Sequence, residues 1–188
     1  LIHRIARYHL GWTDESGRPG KYDRGKGIRS TMCLLTCDAL SGDHHPALPA
    51  AASIDLIHNF TLIHDDIMDG DDLRRGRPSV WKLWGIEQAI NTGDMLHALA
   101  FVVLTKLSDS AMVPNASRLL SETCVTVVQG QASDIDFEKG VVGMARSQNP
   151  NSANSQFFIM FGPAPHLNGQ YTVVGRVTSG QDVVDAIK

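Results

Sequence analysis

The chain has 188 residues, of which 43% are hydrophobic and 20% are charged, so it is long enough for one globular domain, alone or with an additional fragment. Seventeen basic against twenty acidic residues give a net charge of −3. That balance excludes a general nucleic-acid or anionic-membrane binder, which would carry a basic excess. No apolar run reaches the ~18 residues that a membrane span needs.

The cysteines argue against a disulfide-stapled secreted fold, because three of them cannot pair completely. A reducing cytoplasm is the expected location. Cys33 and Cys37 lie four positions apart, which puts both on one helical face and at a spacing that zinc can use. No nearby Cys or His completes a four-ligand set, so we expect both to be small core residues.

Residues 1–138 are predicted to be helical. Pro49 lies where a helix start tolerates proline. The apolar residues after it recur at spacings of three and four, as on one helix face: Ala52, Leu56, Phe60 and Ile63. The pattern returns over Ala89–Leu107 and again in a stripe through Ala116, Leu120, Cys124 and Val127. Long apolar stripes of this kind predict a core of helix packed on helix.

Residues 139–188 have a different character. Three short segments rich in β-branched and aromatic residues predict strands, at Val141–Met144, Gln156–Phe161 and Tyr171–Val177. Gln181–Lys188 is predicted to be a short terminal helix, and Ser147–Ser155 has the composition of a linker. About fifty residues with three strands bury little core by themselves. The sequence therefore predicts two parts, 1–138 and 139–188.

A cluster of acidic residues is the feature of the sequence that most strongly indicates a functional site. Five aspartates fall within the eight positions from 65 to 72. Asp65 and Asp69 are one helical turn apart, and His58 lies two turns earlier on about the same face. Stacked carboxylates repel one another unless a cation lies between them. Mg²⁺ suits such a site, because it takes one or two carboxylates and fills its octahedron with water and substrate phosphate.

Basic residues surround this cluster. Arg74, Arg75 and Arg77 follow the acids and offer the planar fork that grips phosphate oxygens. One alternative is a solvated acidic loop balanced by a basic one. An EF-hand is excluded because its closing Glu is absent, and a His-Asp phosphohydrolase would need a second histidine pattern. The arrangement favours a metal-assisted diphosphate site.

Two further polar groups have open interpretations. Lys26 and Arg29 follow Gly25 at helical spacing, but the glycines do not have the spacing of a P-loop, and a solvent-facing helix start is the alternative. Gln131 and Asp134 continue an apolar stripe. They either line a polar pocket, since buried polar groups need partners, or mark where the helix reaches water.

The motifs of the first part resemble the trans-type polyprenyl diphosphate synthases. They are Gly25–Arg29, His58–Asp69 and Leu73–Pro78, followed by Gly93-Asp94 and Gly130–Asp134. The resemblance implies an all-α bundle, cut short here. It also implies a prenyltransferase reaction, in which an allylic diphosphate ionises under Mg²⁺ and isopentenyl diphosphate attacks the carbocation.

The resemblance also implies residue roles. Asp65, Asp66 and Asp69 would be catalytic residues that hold Mg²⁺ on the allylic diphosphate, and Arg74 would grip that diphosphate. Phe60 and Thr61 would measure chain length, in a geranylgeranyl-like pairing with farnesyl as the alternative. The diphosphate of isopentenyl diphosphate would be held by Lys26, Arg29, His58 and Arg75. Gln131 and Asp134 would also bind substrate.

The sequence departs from this family in three ways. Gly27 replaces a usual basic residue, and Ser30 replaces the usual proline. The family's second aspartate-rich motif and Lys-Thr pair are missing, and no Asp-Asp pair follows Glu138. We therefore expect Mg²⁺-dependent diphosphate binding with little turnover. The resemblance also allows a homodimer.

The last fifty residues resemble the C-terminal part of a bacterial cyclophilin, a peptidyl-prolyl isomerase. The matching segments are Gly140–Arg146, Asn154–Ile159 and His166–Val177. By resemblance the proline-peptide groove consists of Ala145, Gln156, Phe158, Leu167 and Tyr171. The family's catalytic arginine belongs to an absent segment, and Arg146 does not replace it. The chain would then be a chimera, with a prolyl-isomerase or proline-peptide-binding module, or an inactive fragment, as alternative functions.

Overall fold

The computed structural model describes residues 1–135, 138–147, 152, 155–164, 167 and 170–187, and the chain forms two compact units, Leu1–Glu122 and Thr123–Lys188. The described helices are α1 (Ile2–His9), α2 (Ile28–Ser41), α3 (Leu48–Met68), α4 (Val80–Trp84), α5 (Ile86–Leu104), α6 (Val113–Ile135) and α7 (Gln181–Ala186). Short 3₁₀ turns, His45–Ala47 and Ser110–Met112, precede α3 and α6. The prediction of a mainly helical chain is confirmed.

The core of the first unit lies around α3 and α5, the longest helices that lie wholly within this unit. Its buried apolar residues come from four helices: Ile5, Ala6, Ile63, Val80, Ala89 and Leu96. A hydrogen bond also connects α3 and α5: the buried Ser53 hydroxyl of α3 donates to the Ala100 carbonyl oxygen of α5 at 2.8 Å. This is the helix-on-helix core that the apolar stripes predict.

Helix α3 begins as predicted, with Pro49 in its first turn, where a missing N–H is harmless. Halfway along α5, Gly93 allows close packing against α3. A Cβ at Gly93 would lie 2.6 Å from Cδ2 of His64, closer than atoms in van der Waals contact. The His64 ring of α3 therefore packs directly against the backbone of α5 at Gly93.

A short hairpin follows α3, in a region for which the sequence predicts only helices. Strands β1 (Leu73–Arg74) and β2 (Arg77–Pro78) pair antiparallel, with Arg74 opposite Arg77. The two turn residues, Arg75 and Gly76, have φ values of 52° and 72°. Positive φ at both central positions is the signature of a type I′ turn, the usual two-residue hairpin connection.

The second unit contains a three-stranded antiparallel sheet in the order β4-β3-β5. The strands are β3 (Val141–Met144), β4 (Phe157–Ile159) and β5 (Val173–Arg176). All three predicted strands are present, the second and third shorter than expected. The predicted terminal helix ends earlier, at Ala186. Most of the predicted linker Ser147–Ser155 lies outside the described residues.

The third apolar stripe does not become core. Helix α6 forms where the stripe predicts it, yet Val127 and its neighbours Val125 and Val128 are exposed. Cys33 and Cys37 are only half-buried, so the expectation of small core residues is met in part. In the part of the chain that the structure describes, no helix is both long and apolar enough to cross a membrane.

Candidate diphosphate and metal site

Two carboxylates lie one turn apart where α3 ends. Asp65 is half-buried, and Asp69, the residue that caps the helix, is exposed. Burial raises the pKa of Asp65, and the charge of Asp69 raises it further. A divalent cation between the two would relieve that repulsion. Two carboxylates, of which one is exposed to solvent, are a donor set that fits Mg²⁺.

Asp66 faces another direction, because successive helical residues point about 100° apart. Its side chain is 1% exposed, and Arg74 Nε donates to its Oδ1 at 2.7 Å, with a second contact from Arg74 Nη2. Burial raises the pKa of Asp66, and the Arg74 guanidinium opposes that shift. The other carboxylate oxygen has no hydrogen-bond partner among the described residues. Asp66 and Arg74 thus bind each other, and their assigned parts in holding Mg²⁺ and the allylic diphosphate stay predictions.

A basic pocket of about 250 Å³ lies beside the N-terminal half of α3. It brings together the four residues expected to hold the diphosphate of isopentenyl diphosphate, namely Lys26, Arg29, His58 and Arg75. Arg24, Asp55 and Asn59 also line it. The sequence analysis did not select Arg24 or Asn59, although each is within two residues of a selected one.

Glycines shape the wall of this pocket. Gly25 and Gly27 have φ values of 76° and 58°, a conformation that other residues rarely adopt. A Cβ at Gly25 would lie 3.3 Å from Arg75 Nε, so the bare backbone lets the guanidinium approach. Gly27 then caps α2 and places Arg29 in its first turn.

The cations of the pocket act on one another. Arg29 Nη1 lies 3.4 Å from His58 Nε2, and Arg75 Nη2 donates to Asn59 Oδ1 at 3.4 Å. Burial lowers the pKa of His58, and the charges of Arg29 and Arg75 lower it further. An anion in the pocket would offset this mutual repulsion, which is the electrostatic property of a phosphate site.

The three arginines after the acidic cluster have three different environments. Arg74 is bound to Asp66, and Arg75 lines the basic pocket. Arg77 lies between two rings, with its Cζ 3.8 Å from the Tyr8 centroid and 4.0 Å from the Tyr22 centroid. It also donates to the Thr13 carbonyl at 2.9 Å. Arg77 therefore anchors the hairpin to the N-terminal segment.

An aromatic row connects α3 and α5 near the predicted chain-length residues. The Phe60 ring meets His64 and His97 edge-on, at centroid distances of 4.8 and 5.0 Å, and His97 meets Phe101 at 5.3 Å. Thr61 donates to the His58 carbonyl at 2.8 Å. The sequence analysis did not select His97. Its one signal in the sequence is that it interrupts an apolar run.

The remaining predicted residues lie in the second unit. Gln131 is half-buried in α6, and Asp134 belongs to the same helix, but its side chain is not among those described. Their part in substrate binding stays a prediction. Of the predicted groove, Phe158 meets Tyr171 edge-on at 5.4 Å, and both pack with Leu167 on a small buried cluster. Ala145 N donates to the Gln156 carbonyl at 2.9 Å.

Comparison with known proteins identifies the family. Residues 18–151 match the model of the polyprenyl synthetase family. A (2E,6E)-farnesyl diphosphate synthase of Mycobacterium tuberculosis is 46% identical over 134 residues, which cover 71% of this chain and 37% of the relative. A geranylgeranyl diphosphate synthase of the same species is 43% identical over 134 residues, 71% of this chain and 38% of that protein.

Solved structures agree with this assignment. A polyprenyl synthetase from Streptomyces coelicolor A3(2) superposes with a TM-score of 0.66 at 40% identity, covering 71% of this chain and 39% of its own. The geranylgeranyl pyrophosphate synthetase of Geoglobus acetivorans gives 0.62 at 39% identity, with 71% and 40% covered. The chain belongs to the polyprenyl synthetase family, and it spans less than two fifths of the length of the mycobacterial relatives.

Proposed function

We propose that this chain carries the first half of an isoprenoid-elongating prenyltransferase site, which binds isopentenyl diphosphate and an allylic diphosphate with Mg²⁺. The observation that carries the proposal is the basic pocket, in which four cationic or titratable side chains converge two turns of α3 from a carboxylate pair. The family resemblance of the sequence assigns the same four to the diphosphate of isopentenyl diphosphate: Lys26, Arg29, His58 and Arg75.

Each group has a distinct task in the proposed reaction. Lys26, Arg29 and Arg75 hold the diphosphate of isopentenyl diphosphate and so orient its double bond. Asp65 and Asp69 hold Mg²⁺, which when bound neutralises the charge that gathers on the departing allylic diphosphate. With only one aspartate-rich motif in the sequence, we propose that this chain binds both diphosphates and turns them over slowly.

Product length is the finer part of the proposal. We infer that the row of Phe60, His97 and Phe101 closes the space for the hydrocarbon tail, and that the product is geranylgeranyl-like, with farnesyl as the alternative. Phe60→Ala should strengthen binding of a farnesyl thiolodiphosphate relative to a geranyl one, because the tail gains the volume of the ring. Equal effects on both analogues, measured by isothermal titration, would contradict this role.

The test of the main proposal is a thermal melt with Mg²⁺ and a non-hydrolysable allylic diphosphate analogue. A ligand that binds only the folded state at 100 times its dissociation constant adds roughly 2.7 kcal/mol. We expect an upward shift that needs both Mg²⁺ and the analogue. The Asp65→Ala, Asp69→Ala double variant should lose it, and the control Asp182→Ala, an exposed aspartate of α7, should keep it.

Isopentenyl diphosphate should shift the melt without Mg²⁺, because its proposed pocket is made of side-chain cations. Arg29→Ala should reduce that shift, whereas Arg118→Ala, which removes an arginine from an exposed ion pair on α6, should not. A melt that ignores both ligands would show that the motifs do not form a working site. Rapid elongation of an allylic substrate would contradict the proposal of slow turnover.

A second proposal concerns residues 139–188. We infer that they form a cyclophilin-like fragment joined to the synthase part, which makes the chain a chimera. The edge-to-face contact of Phe158 with Tyr171 on a small buried cluster supports an aromatic surface suited to a proline ring. A proline peptide should perturb the NMR signals of these residues without faster isomerisation. Perturbation that persists in Phe158→Ala would contradict the groove.

A further inference from the structure

A cluster of metal-ligating side chains lies at the turn between α2 and α3. Asp43, His44 and His45 follow Gly42, whose φ of 72° ends α2. Each of the three offers one ligand atom, and these atoms all lie within 4.8 Å of one another. Across the described ranges of the chain, no other group of three or more His, Cys, Asp or Glu side chains converges in this way.

The three side chains already contact one another. His45 Nδ1 lies 2.6 Å from Asp43 Oδ1, and the His45 backbone N–H donates to the same oxygen at 3.0 Å. The rings of His44 and His45 stack, with centroids 4.5 Å apart and planes inclined by 23°. Two imidazoles and a carboxylate therefore face one small volume.

Side chains from the last turns of α2 form hydrogen bonds with this turn. The Ser41 hydroxyl lies 2.9 Å from the Asp43 carbonyl oxygen, and Cys37 Sγ lies 3.3 Å from that same oxygen. Asp38 Oδ1 lies 3.5 Å from His44 Nδ1. A carboxylate on one ring nitrogen is the usual outer partner of a metal-ligating histidine, since it fixes the ring and directs the other nitrogen to the metal.

We propose that Asp43, His44 and His45 bind a divalent transition-metal ion of the Zn²⁺, Co²⁺ and Ni²⁺ class, with Asp38 as the positioning residue for His44. Imidazole nitrogens favour these metals, whereas Mg²⁺ favours oxygen ligands throughout. Metal bonds of ~2.0–2.1 Å place tetrahedral ligand atoms about 3.4 Å apart. The exposed side chains reach that spacing by rotation about their χ angles, and water completes the coordination.

This site is separate from the diphosphate site. It lies at the end of α2 opposite Lys26 and Arg29, and it precedes α3, twenty residues before Asp65. Bound metal would fix the turn that connects α2 to α3, and those two helices carry walls of the basic pocket. The proposal does not depend on prenyltransferase activity.

The test is isothermal titration of Zn²⁺ into the tag-free chain, with visible absorption of Co²⁺ as the second readout. We expect one equivalent to bind in the presence of excess Mg²⁺ and to raise the melting temperature. Both effects should disappear in the His44→Ala, His45→Ala double variant. His3→Ala, which removes an exposed histidine of α1, should leave them unchanged.

Three more variants sharpen the result. Asp38→Ala should weaken binding about tenfold, as loss of an outer carboxylate does. Cys37→Ser should leave both titrations unaltered, because the proposed ligands are nitrogen and oxygen. The Asp65→Ala, Asp69→Ala variant should still bind Zn²⁺, which separates this site from the diphosphate site. No Zn²⁺ binding by the unaltered chain, or equal binding by the double-histidine variant, would overturn the proposal.

Discussion

Asp66 and Arg74 form an ion pair whose two members differ in exposure. The carboxylate is buried, while the guanidinium is partly open to solvent. Removal of one partner from a buried pair costs several kcal/mol, because the other charge loses its compensation. Loss of Arg74 is therefore the more costly change, since it would leave a buried carboxylate uncompensated, whereas Arg74 without Asp66 keeps solvent and a contact with Asp71.

The first prediction compares two acids of the same motif. Asp66→Ala should lower the free energy of unfolding by about 1.5–3 kcal/mol, because Arg74 loses its main hydrogen-bond partner and keeps only the longer contact with Asp71. Asp69→Ala, at an exposed position, should change it by less than about 0.5 kcal/mol. Urea denaturation of the two variants measures both. Equal losses would mean that the pair with Arg74 does not form.

His9 provides a prediction about pH. Burial, followed by the charges of Arg75 and Arg74, lowers its pKa to about 3, and its Nε2 has no hydrogen-bond partner in the described chain. The folded state thus keeps His9 neutral, while the unfolded chain takes up a proton below its ordinary pKa of about 6.5. Stability should fall as the pH drops from about 6.5 towards 3, by up to ~1.4 kcal/mol per pH unit.

The matching experiment is denaturation between pH 6.5 and 4.5. His9→Gln should flatten the pH dependence, because the neutral side chain takes up no proton on unfolding. His3→Gln, which changes an exposed histidine, should retain the slope of the unaltered chain. If the His9 and His3 variants have the same slope, His9 is not buried in its neutral form.

At the level of single residues, the sequence supports some roles and not others. The spacing of Asp65 and Asp69 is sufficient to place them on one face, and helix geometry also turns Asp66 away from them. The environment of Arg77 could not be predicted, because its partners Tyr8 and Tyr22 are distant in sequence. Lys26, Arg29, His58 and Arg75 were selected through the family resemblance, because cations near glycines alone leave a solvent-facing helix start equally open.

The helix pair α3–α5 gives a prediction at the level of elements. Gly93→Ala should destabilise the first unit, because the new Cβ would collide with the His64 ring. Gly130→Ala, in α6, meets no atom within 4 Å and should stabilise its helix by up to ~1 kcal/mol, the propensity difference between the residues. Thermal melts of the two variants should shift in opposite directions. A gain for both would mean that α3 and α5 do not approach closely at Gly93.

Elements were predictable where a local signal existed. Pro49 marks the start of α3, and β-branched runs mark the strands of the second unit. The hairpin at residues 73–78 was missed because its strands have only two residues each, too few for any alternation of polar and apolar side chains. Its one signal was Gly76, which the turn requires at a positive φ.

At the scale of the whole molecule, the notable surface feature is an apolar face of α2 that is exposed to solvent. Ile28, Met32 and Leu35 lie on one side of this helix, at spacings of four and three, and are 56%, 63% and 62% exposed. Apolar patches of this kind bind other apolar surfaces. Leu35→Glu should therefore reduce self-association and binding of a hydrophobic dye without loss of stability. Leu96→Glu, a substitution in the core, should unfold the first unit.

Sedimentation velocity and dye fluorescence at several protein concentrations check this prediction. Thr36→Glu, which adds the same charge at the neighbouring exposed position, is the control for a general effect of charge. If both glutamate variants reduce association equally, the effect is electrostatic and the apolar face is not responsible.

The family could be predicted from residues 1–138, because several motifs occur there in the expected order and at the expected intervals. The division into compact units could not, since it falls within α6 between Glu122 and Thr123, where the sequence has no break. The junction predicted at residues 138 and 139 depends on resemblance alone and stays a prediction, as does the cyclophilin-like identity of the tail.

The hairpin has a consequence for how two ligands would influence each other. Arg74 binds Asp66 near the end of α3, and Arg75, the next residue, lines the basic pocket. A diphosphate that draws Arg74 away from Asp66 would therefore also displace Arg75, because the two residues are adjacent in the hairpin. The affinities of the two sites are then thermodynamically linked, and each ligand changes the affinity for the other by the same factor.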